Sequence, residues 1–212
     1  ADIKVLIGDL SEAQCPAKLV DDALKAFGGL DAVVSNAGIT SPAPLIDLSV
    51  SKWDKLLNVN TRATLLLAQA AYPALKESKG ALVAVASMSG MGAHPGMGAY
   101  SPSKAALISL CQVLAQEWAC DGINVNTVSP GMIRTPLTQK VYENNQIAKE
   151  RAALVPWGRV GNPEDISNVI SFLLSPEANY ITGQNILVDG GFVDSLYRHI
   201  PGLPDSSEID KT

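Results

Sequence analysis

Short, nearly continuous apolar runs alternate with helical segments along this chain, and this alternation restricts the fold more than any other feature. Strands are predicted at 3–7, 31–35, 81–86, 123–128 and 185–188, and helices at 16–27, 49–76, 98–120 and 163–174. Parallel strands buried between two layers of helices are apolar throughout, so they lack the alternation of half-exposed strands. The sequence therefore predicts an α/β fold with a doubly wound parallel sheet.

Length and composition narrow the class of protein. The 212 residues suit one domain at 1–200, and we expect residues 201–212 to be a solvated tail. The net charge of −5, without a basic block, argues against a nucleic-acid or membrane partner. No signal peptide or membrane span is predicted, and the three cysteines form no CxxC motif. We therefore expect a cytoplasmic protein with reduced thiols and no metal site.

The most specific chemical pattern is Tyr100-Ser-Pro-Ser-Lys104. Positions i and i+4 of a helix share a face, and a nearby cation lowers the pKa of a phenol, so this pair suits general acid–base catalysis. Because Pro102 is tolerated only in a first turn, we expect Tyr100 near the start of its helix. The alternative is a solvated tyrosine beside a surface lysine.

Other polar residues fall where parallel strands end, which is where ligands bind in such folds. Ser87 ends a predicted strand thirteen residues before Tyr100, and Ser89 is its rival for contact with a substrate oxygen. Asn60 interrupts an apolar helical pattern, where asparagine is mildly unfavourable, and its alternative is a solvent-facing position.

Seven motifs follow one another along nearly the whole chain. They are Asp9-Leu10, Asn36-Ala-Gly38, the tetrad Asn60, Ser87, Tyr100 and Lys104, Pro130-Gly-Met-Ile-Arg-Thr135, Gly158-Arg-Val-Gly161, Pro163-Glu-Asp165, and Tyr180-Ile-Thr-Gly-Gln with Asp189-Gly-Gly191. In this order and spacing they resemble the short-chain dehydrogenase/reductase family, whose fold is Rossmann-like.

The resemblance implies an NAD- or NADP-dependent oxidoreductase that interconverts a secondary alcohol and a ketone of a small-molecule substrate. In this family Tyr100 would exchange the proton, Lys104 would lower its pKa and bind the nicotinamide ribose, Ser87 would polarise the substrate oxygen, and Asn60 would hold a water. The implied cofactor-binding residues are Asp9, Leu10, Asn36, Ala37, Gly38, Tyr100, Lys104, Pro130, Gly131, Ile133 and Thr135. The family also implies a homotetramer or homodimer, built from the helices near Ser49 and Gly98.

The chain departs from the family before Ile3, where no TGxxxGxG loop, first strand, first helix or second strand is found. Gly92-Ala-His-Pro-Gly96-Met-Gly98 has the right glycine spacing but lies between Ser87 and Tyr100, so we interpret it, including His94, as a catalytic-site loop. We expect a fragment of a complete member that binds cofactor poorly alone. A segment lost by proteolysis, or strand 3–7 pairing beside 32–35, would also fit.

Three further alternatives remain open. The first concerns function: instead of a carbonyl reductase, the chain would be a non-catalytic fragment or pseudoenzyme that acts as an oligomerising or regulatory module, or it would be an enoyl reductase. The three-residue gap between Tyr100 and Lys104 argues against an enoyl reductase. Segment 137–157 either covers the substrate or packs as an amphipathic helix. Arg134 and Arg151 either meet an acidic substrate or are ordinary surface residues.

Overall fold

The structure is a computed structural model that describes residues 2–200, and in that range four parallel strands form one sheet. They are β1 (Ala32–Ser35), β2 (Ala81–Val85), β3 (Asn124–Pro130) and β4 (Asn185–Val188), in that spatial order. In the register, Val33 lies beside Leu82, Leu82 beside Val125, and Val128 beside Ile186. The predicted parallel sheet is confirmed. The tail predicted at 201–212 lies outside the described residues.

Seven α-helices flank the strands within the described range. They are α1 (Cys15–Phe27), α2 (Val50–Leu57), α3 (Ala63–Ser78), α4 (Tyr100–Trp118), α5 (Gln139–Tyr142), α6 (Asn145–Leu154) and α7 (Pro163–Leu173). A π-helical turn, Asn58–Arg62, joins α2 to α3, so the single helix predicted there is continuous but locally widened. Helix α1 ends at Gly28, whose φ of 79° is the left-handed conformation that glycine favours.

The main hydrophobic core lies among strands β1–β3 and helices α1, α3 and α4. Its members include Val20, Val33, Leu75, Leu82, Leu107 and Val125. Because β1 and β2 contribute almost only apolar side chains, they read as apolar runs in the sequence, whereas β3 also buries the polar Asn126, Thr127 and Ser129.

Residues 3–7, predicted to form the first strand, form no strand in the described structure. Ile3, Val5 and Ile7 are 88%, 81% and 94% exposed, respectively. A strand needs a neighbour for its backbone hydrogen bonds, and among residues 2–200 only β2 pairs with β1. The prediction of a strand here, and of its pairing beside β1, is therefore wrong.

The chain divides into two compact units. The first, residues 2–130 with 164–188, contains the sheet and all four tetrad positions. The second, residues 131–163 with 189–200, contains α5 and α6, so segment 137–157 is largely helical. Among residues 2–200, no helix combines the length and the apolar character needed to cross a membrane.

Candidate active site

Tyr100 and Lys104 lie in the first turns of α4, as their spacing predicts. The helix begins at Tyr100, so Pro102 falls in the first turn, where its missing N–H leaves no hydrogen bond unmade. The Lys104 side chain turns inward and is only 3% exposed. Its Nζ lies 6.0 Å from the Tyr100 ring centroid and donates to the backbone oxygen of Val85 at 2.8 Å, where β2 ends. The alternative of a solvated surface pair is therefore wrong.

Burial controls the ionisation of both groups. It raises the pKa of Tyr100, and a hydrogen bond with Ser87 lowers it by less. It also lowers the pKa of Lys104 to about 8, because a buried ammonium loses hydration. The sequence predicts a phenol acidified by Lys104, but burial is the larger influence on the pKa of Tyr100 and raises it. A raised pKa favours the protonated phenol, which is the form that donates a proton.

The two candidate serines have different partners. Ser87 follows β2, lies close enough to Tyr100 to lower the pKa of the phenol, and accepts a hydrogen bond from the Ser89 backbone N–H at 3.1 Å. The Ser89 hydroxyl lies 3.1 Å from Nδ1 of His94 instead. The structure thus brings Ser87 rather than Ser89 to the phenol, and it gives His94 a side-chain partner that the sequence did not reveal.

Asn60 is buried within the π-helical turn, not solvent-facing. Its Oδ1 accepts from the Ile39 backbone N–H at 2.9 Å, and its Nδ2 donates to Ile39 O and to Ser103 Oγ, both at 3.0 Å. Ser103 Oγ in turn donates to the Tyr100 backbone oxygen at 2.7 Å. Asn60 therefore ties the loop after β1 to the first turn of α4.

Sequence reasoning did not identify Thr61 and Ser103 as part of this network. Thr61 Oγ1 donates to the Ser103 backbone oxygen at 2.8 Å, so two neighbouring residues of the π turn bond to one residue of α4. The available signal was Asn60 itself, because a polar residue inside an apolar helical pattern needs a buried partner. Its partners lie 21 and 43 residues away, so only the tertiary structure identifies them.

The loop Asn36–Gly38 leaves β1 beside Lys104. A Cβ at Gly38 would lie 3.3 Å from Lys104 Nζ and 3.6 Å from Asn60 Oδ1, so a side chain there would crowd the ammonium. Among the described residues, Val85 O takes one of the three ammonium protons, which leaves two for a ligand's hydroxyl groups. These residues fit the ribose beside a nicotinamide ring.

The remaining candidate cofactor-binding residues lie in separate parts of the chain. The exposed Asp9 carboxylate accepts from the Ser11 backbone N–H at 2.8 Å, which lowers its pKa, and Leu10 follows in the same turn. Pro130 ends β3 in the first unit, whereas Gly131, Ile133 and Thr135 belong to the second. There, Ile133 bridges to Gly161 and the Thr135 backbone N–H donates to Thr138 Oγ1 at 2.9 Å.

Comparisons with known proteins show the family to which this chain belongs. A family model described as "Enoyl-(Acyl carrier protein) reductase" matches residues 1–193. The 3-oxoacyl-[acyl-carrier-protein] reductase FabG of Thermotoga maritima is 39% identical over 178 residues, which are 83% of this chain and 71% of that protein. This chain belongs to the short-chain dehydrogenase/reductase family. The human (3R)-3-hydroxyacyl-CoA dehydrogenase is 38% identical over 186 residues, 86% of this chain and 70% of that protein.

Solved structures of short-chain dehydrogenases/reductases agree with this assignment. The Pseudomonas aeruginosa RhlG/NADP active-site complex has a TM-score of 0.82 and 32% identity, covering 87% of this chain and 74% of the other. A 4-hydroxyisoleucine dehydrogenase complexed with NADH has a TM-score of 0.84 and 34% identity, covering 90% and 79%. The chain is therefore an NAD(P)-dependent enzyme of this family, and the non-catalytic alternative is not supported.

Proposed function

We propose that this short-chain dehydrogenase/reductase interconverts a secondary alcohol and a ketone, with Tyr100 as the proton donor and acceptor. The observation that carries the proposal is the half-buried Tyr100 side chain, which lies beside Ser87 and within 6.0 Å of the buried Lys104 ammonium. The names of the two relatives make 3-oxoacyl thioesters, and the corresponding 3-hydroxyacyl thioesters, the first substrates to test.

In the reducing direction, bound NADH or NADPH supplies the hydride to the carbonyl carbon. The Ser87 hydroxyl donates a hydrogen bond to the carbonyl oxygen, and Tyr100 transfers its proton to the same oxygen. The phenolate left behind is stabilised by the Lys104 ammonium, whose charge lies close to the ring. In the oxidising direction the phenolate takes the proton back.

Asn60 has a positioning role in this proposal. Both of its amide hydrogens are donated to Ile39 O and Ser103 Oγ, so its side chain has none left for a relay water. By joining the loop that follows Gly38 to the first turn of α4, it sets the distance between the cofactor-binding loop and Tyr100.

The decisive experiment replaces Tyr100 by Phe in the full protein that contains this chain. We expect turnover of a 3-oxoacyl thioester to fall at least about 100-fold, because general acid catalysis is worth about 10²–10⁴. NADH and NADPH binding, followed by nicotinamide fluorescence, should survive. The matched control is Tyr180→Phe, because Tyr180 is fully exposed. A Tyr100→Phe protein with more than about a tenth of native turnover would refute the assignment.

Enoyl reduction is the second candidate, and the description of the matching family model favours it. The three-residue gap between Tyr100 and Lys104 and the proximity of Ser87 favour carbonyl reduction instead. Comparing the consumption of NADH and NADPH with a 3-oxoacyl and a 2-enoyl thioester of one chain length separates the two reactions.

We further propose that the protein is a cytoplasmic homodimer or homotetramer that uses α4. Only one exposed position of this helix is charged, Glu117 in its last turn; the others are Pro102, Ala105, Ala106, Ser109, Gln112, Val113 and Gln116. An exposed helix face with so little charge suits contact with a second copy. Light scattering of the native protein and of Val113→Glu tests this, and an unchanged mass in the variant would exclude this face. The free Cys15, Cys111 and Cys120 support a reducing compartment.

A further inference from the structure

The second unit holds two arginines against one tyrosine ring, in the segment that the proposed chemistry does not use. Tyr142 ends α5 and is 6% exposed. The Arg134 guanidinium lies 5.4 Å from its ring centroid and that of Arg151, from α6, lies 5.6 Å away. Each contact is a cation–π interaction, which uses the positive charge of the guanidinium and none of its N–H donors in a conventional hydrogen bond.

Within the described residues, neither guanidinium forms an ion pair with a carboxylate. Residues 134–151 contain four basic and two acidic side chains, although the whole chain has a net charge of −5. Of the two acids, Glu150 accepts a hydrogen bond from Gln146 Nε2 at 2.8 Å. Two positive charges are thus held near one ring without an ion-pair partner among the described residues, so an anion near this ring would be attracted by both.

The Tyr142 hydroxyl gives an independent observation. Its oxygen is buried and has no hydrogen-bond partner among the described residues. A buried hydroxyl without a hydrogen-bond partner is unfavourable, and a bound ligand that accepts its hydrogen bond would satisfy it. The same ring that carries the two guanidiniums therefore also carries a donor without an acceptor.

We propose that Arg134, Tyr142 and Arg151 form a binding site for an oxyanion, a carboxylate or a phosphate. Guanidinium N–H groups form a planar fork that matches both anions, and the bonds are charge-assisted. The Tyr142 ring holds each guanidinium within 5.6 Å of its centroid. The anion has three candidate sources: a free ion in solution, the cofactor, or the substrate. A substrate source, such as the phosphates of a CoA thioester, rests on the proposed function.

Titration of the full protein with inorganic phosphate by calorimetry, at constant ionic strength, tests the site. We expect the double variant Arg134→Gln/Arg151→Gln to bind phosphate at least about tenfold more weakly than the native protein. The matched control is Lys140→Gln/Lys149→Gln, which removes the same charge from the same segment but leaves both arginines at the Tyr142 ring. The proposal is overturned if the native protein binds no phosphate, or if both double variants lose affinity equally.

Kinetics then distinguish the sources of the anion. A substrate-borne anion predicts that the arginine double variant raises KM at least about fivefold for acetoacetyl-CoA but not for acetoacetyl-N-acetylcysteamine, with kcat unchanged. A cofactor-borne anion predicts weaker NADH binding, and a free anion predicts weaker phosphate binding alone. If the native protein reduces neither thioester, the proposed function fails on these substrates, while the phosphate titration still decides the anion site.

Discussion

Replacing Asn60 by Ala removes the side chain that joins the loop after β1 to α4. Three hydrogen bonds disappear: Ile39 N–H to Oδ1 at 2.9 Å, and Nδ2 to Ile39 O and to Ser103 Oγ, both at 3.0 Å. The Ser103 hydroxyl keeps its bond to the Tyr100 backbone oxygen, but both polar backbone groups of Ile39 lose this partner.

The expected loss follows from these contacts. A typical intramolecular hydrogen bond contributes about 1 kcal/mol, and a buried group left unsatisfied costs about 1–3 kcal/mol. Asn60 is 1% exposed, so water does not replace its side chain without local opening. We therefore expect Asn60→Ala to lower the free energy of unfolding by about 2–4 kcal/mol. Turnover should also fall, because the loop holding Gly38 is no longer fixed relative to Tyr100.

Urea unfolding at pH 7 measures the loss of stability, and the slope with denaturant should stay constant. The matched control is Asn58→Ala in the same π turn, since Asn58 is only half-buried and its side chain forms no recorded hydrogen bond in residues 2–200. If Asn60→Ala and Asn58→Ala differ by less than about 0.5 kcal/mol, the three contacts do not stabilise the fold as argued.

Three other outcomes follow from the site. Burial lowers the pKa of Lys104 from 10.5 to about 8, so between these pH values the unfolded chain binds a proton that the native protein does not. The free energy of unfolding of the native protein should therefore rise from pH 8 to 10.5, relative to that of Lys104→Met, by up to about 3 kcal/mol. If urea unfolding gives the same pH dependence for both proteins, this prediction is refuted. Gly90→Ala should destabilise the fold by at least about 1 kcal/mol, because its Cβ would lie 2.9 Å from the Lys104 backbone, whereas Gly92→Ala, with open space around it, should not; equal melting temperatures would contradict the geometry. Burial raises the pKa of Cys111 to about 12, so iodoacetamide at pH 8 should label the exposed Cys120 and leave Cys111 unmodified, as peptide mass mapping would reveal.

Much of the architecture was predictable because its signals are local. The largely apolar runs locate β1 to β4 within two residues at each end, since a strand buried on both faces favours apolar side chains whatever its partners. Segment 3–7 has the same apolar pattern and was mispredicted. Its sequence indicates a strand, but a strand also needs a neighbour, and that requirement is not local.

In the candidate site, too, the local features were predictable from the sequence and the non-local ones were not. The i, i+4 spacing alone places Tyr100 and Lys104 on one face of α4, and Pro102 places the helix start. The spacing does not tell whether that face is buried. With Lys104 buried and Tyr100 half-buried, desolvation lowers the pKa of Lys104 and raises that of Tyr100, which is opposite to the expected acidification of the phenol.

The sequence by itself determined the parallel α/β fold, the family and the positions of the four candidate catalytic residues, because periodicity and short motifs are properties of neighbouring residues. Only the tertiary structure decided the direction in which the pKa values of Tyr100 and Lys104 shift, the partners of Asn60, and the placement of Arg134 and Arg151 beside the Tyr142 ring. Desolvation, hydrogen bonding and ring contacts depend on which segments meet in space, and a linear pattern does not specify those meetings.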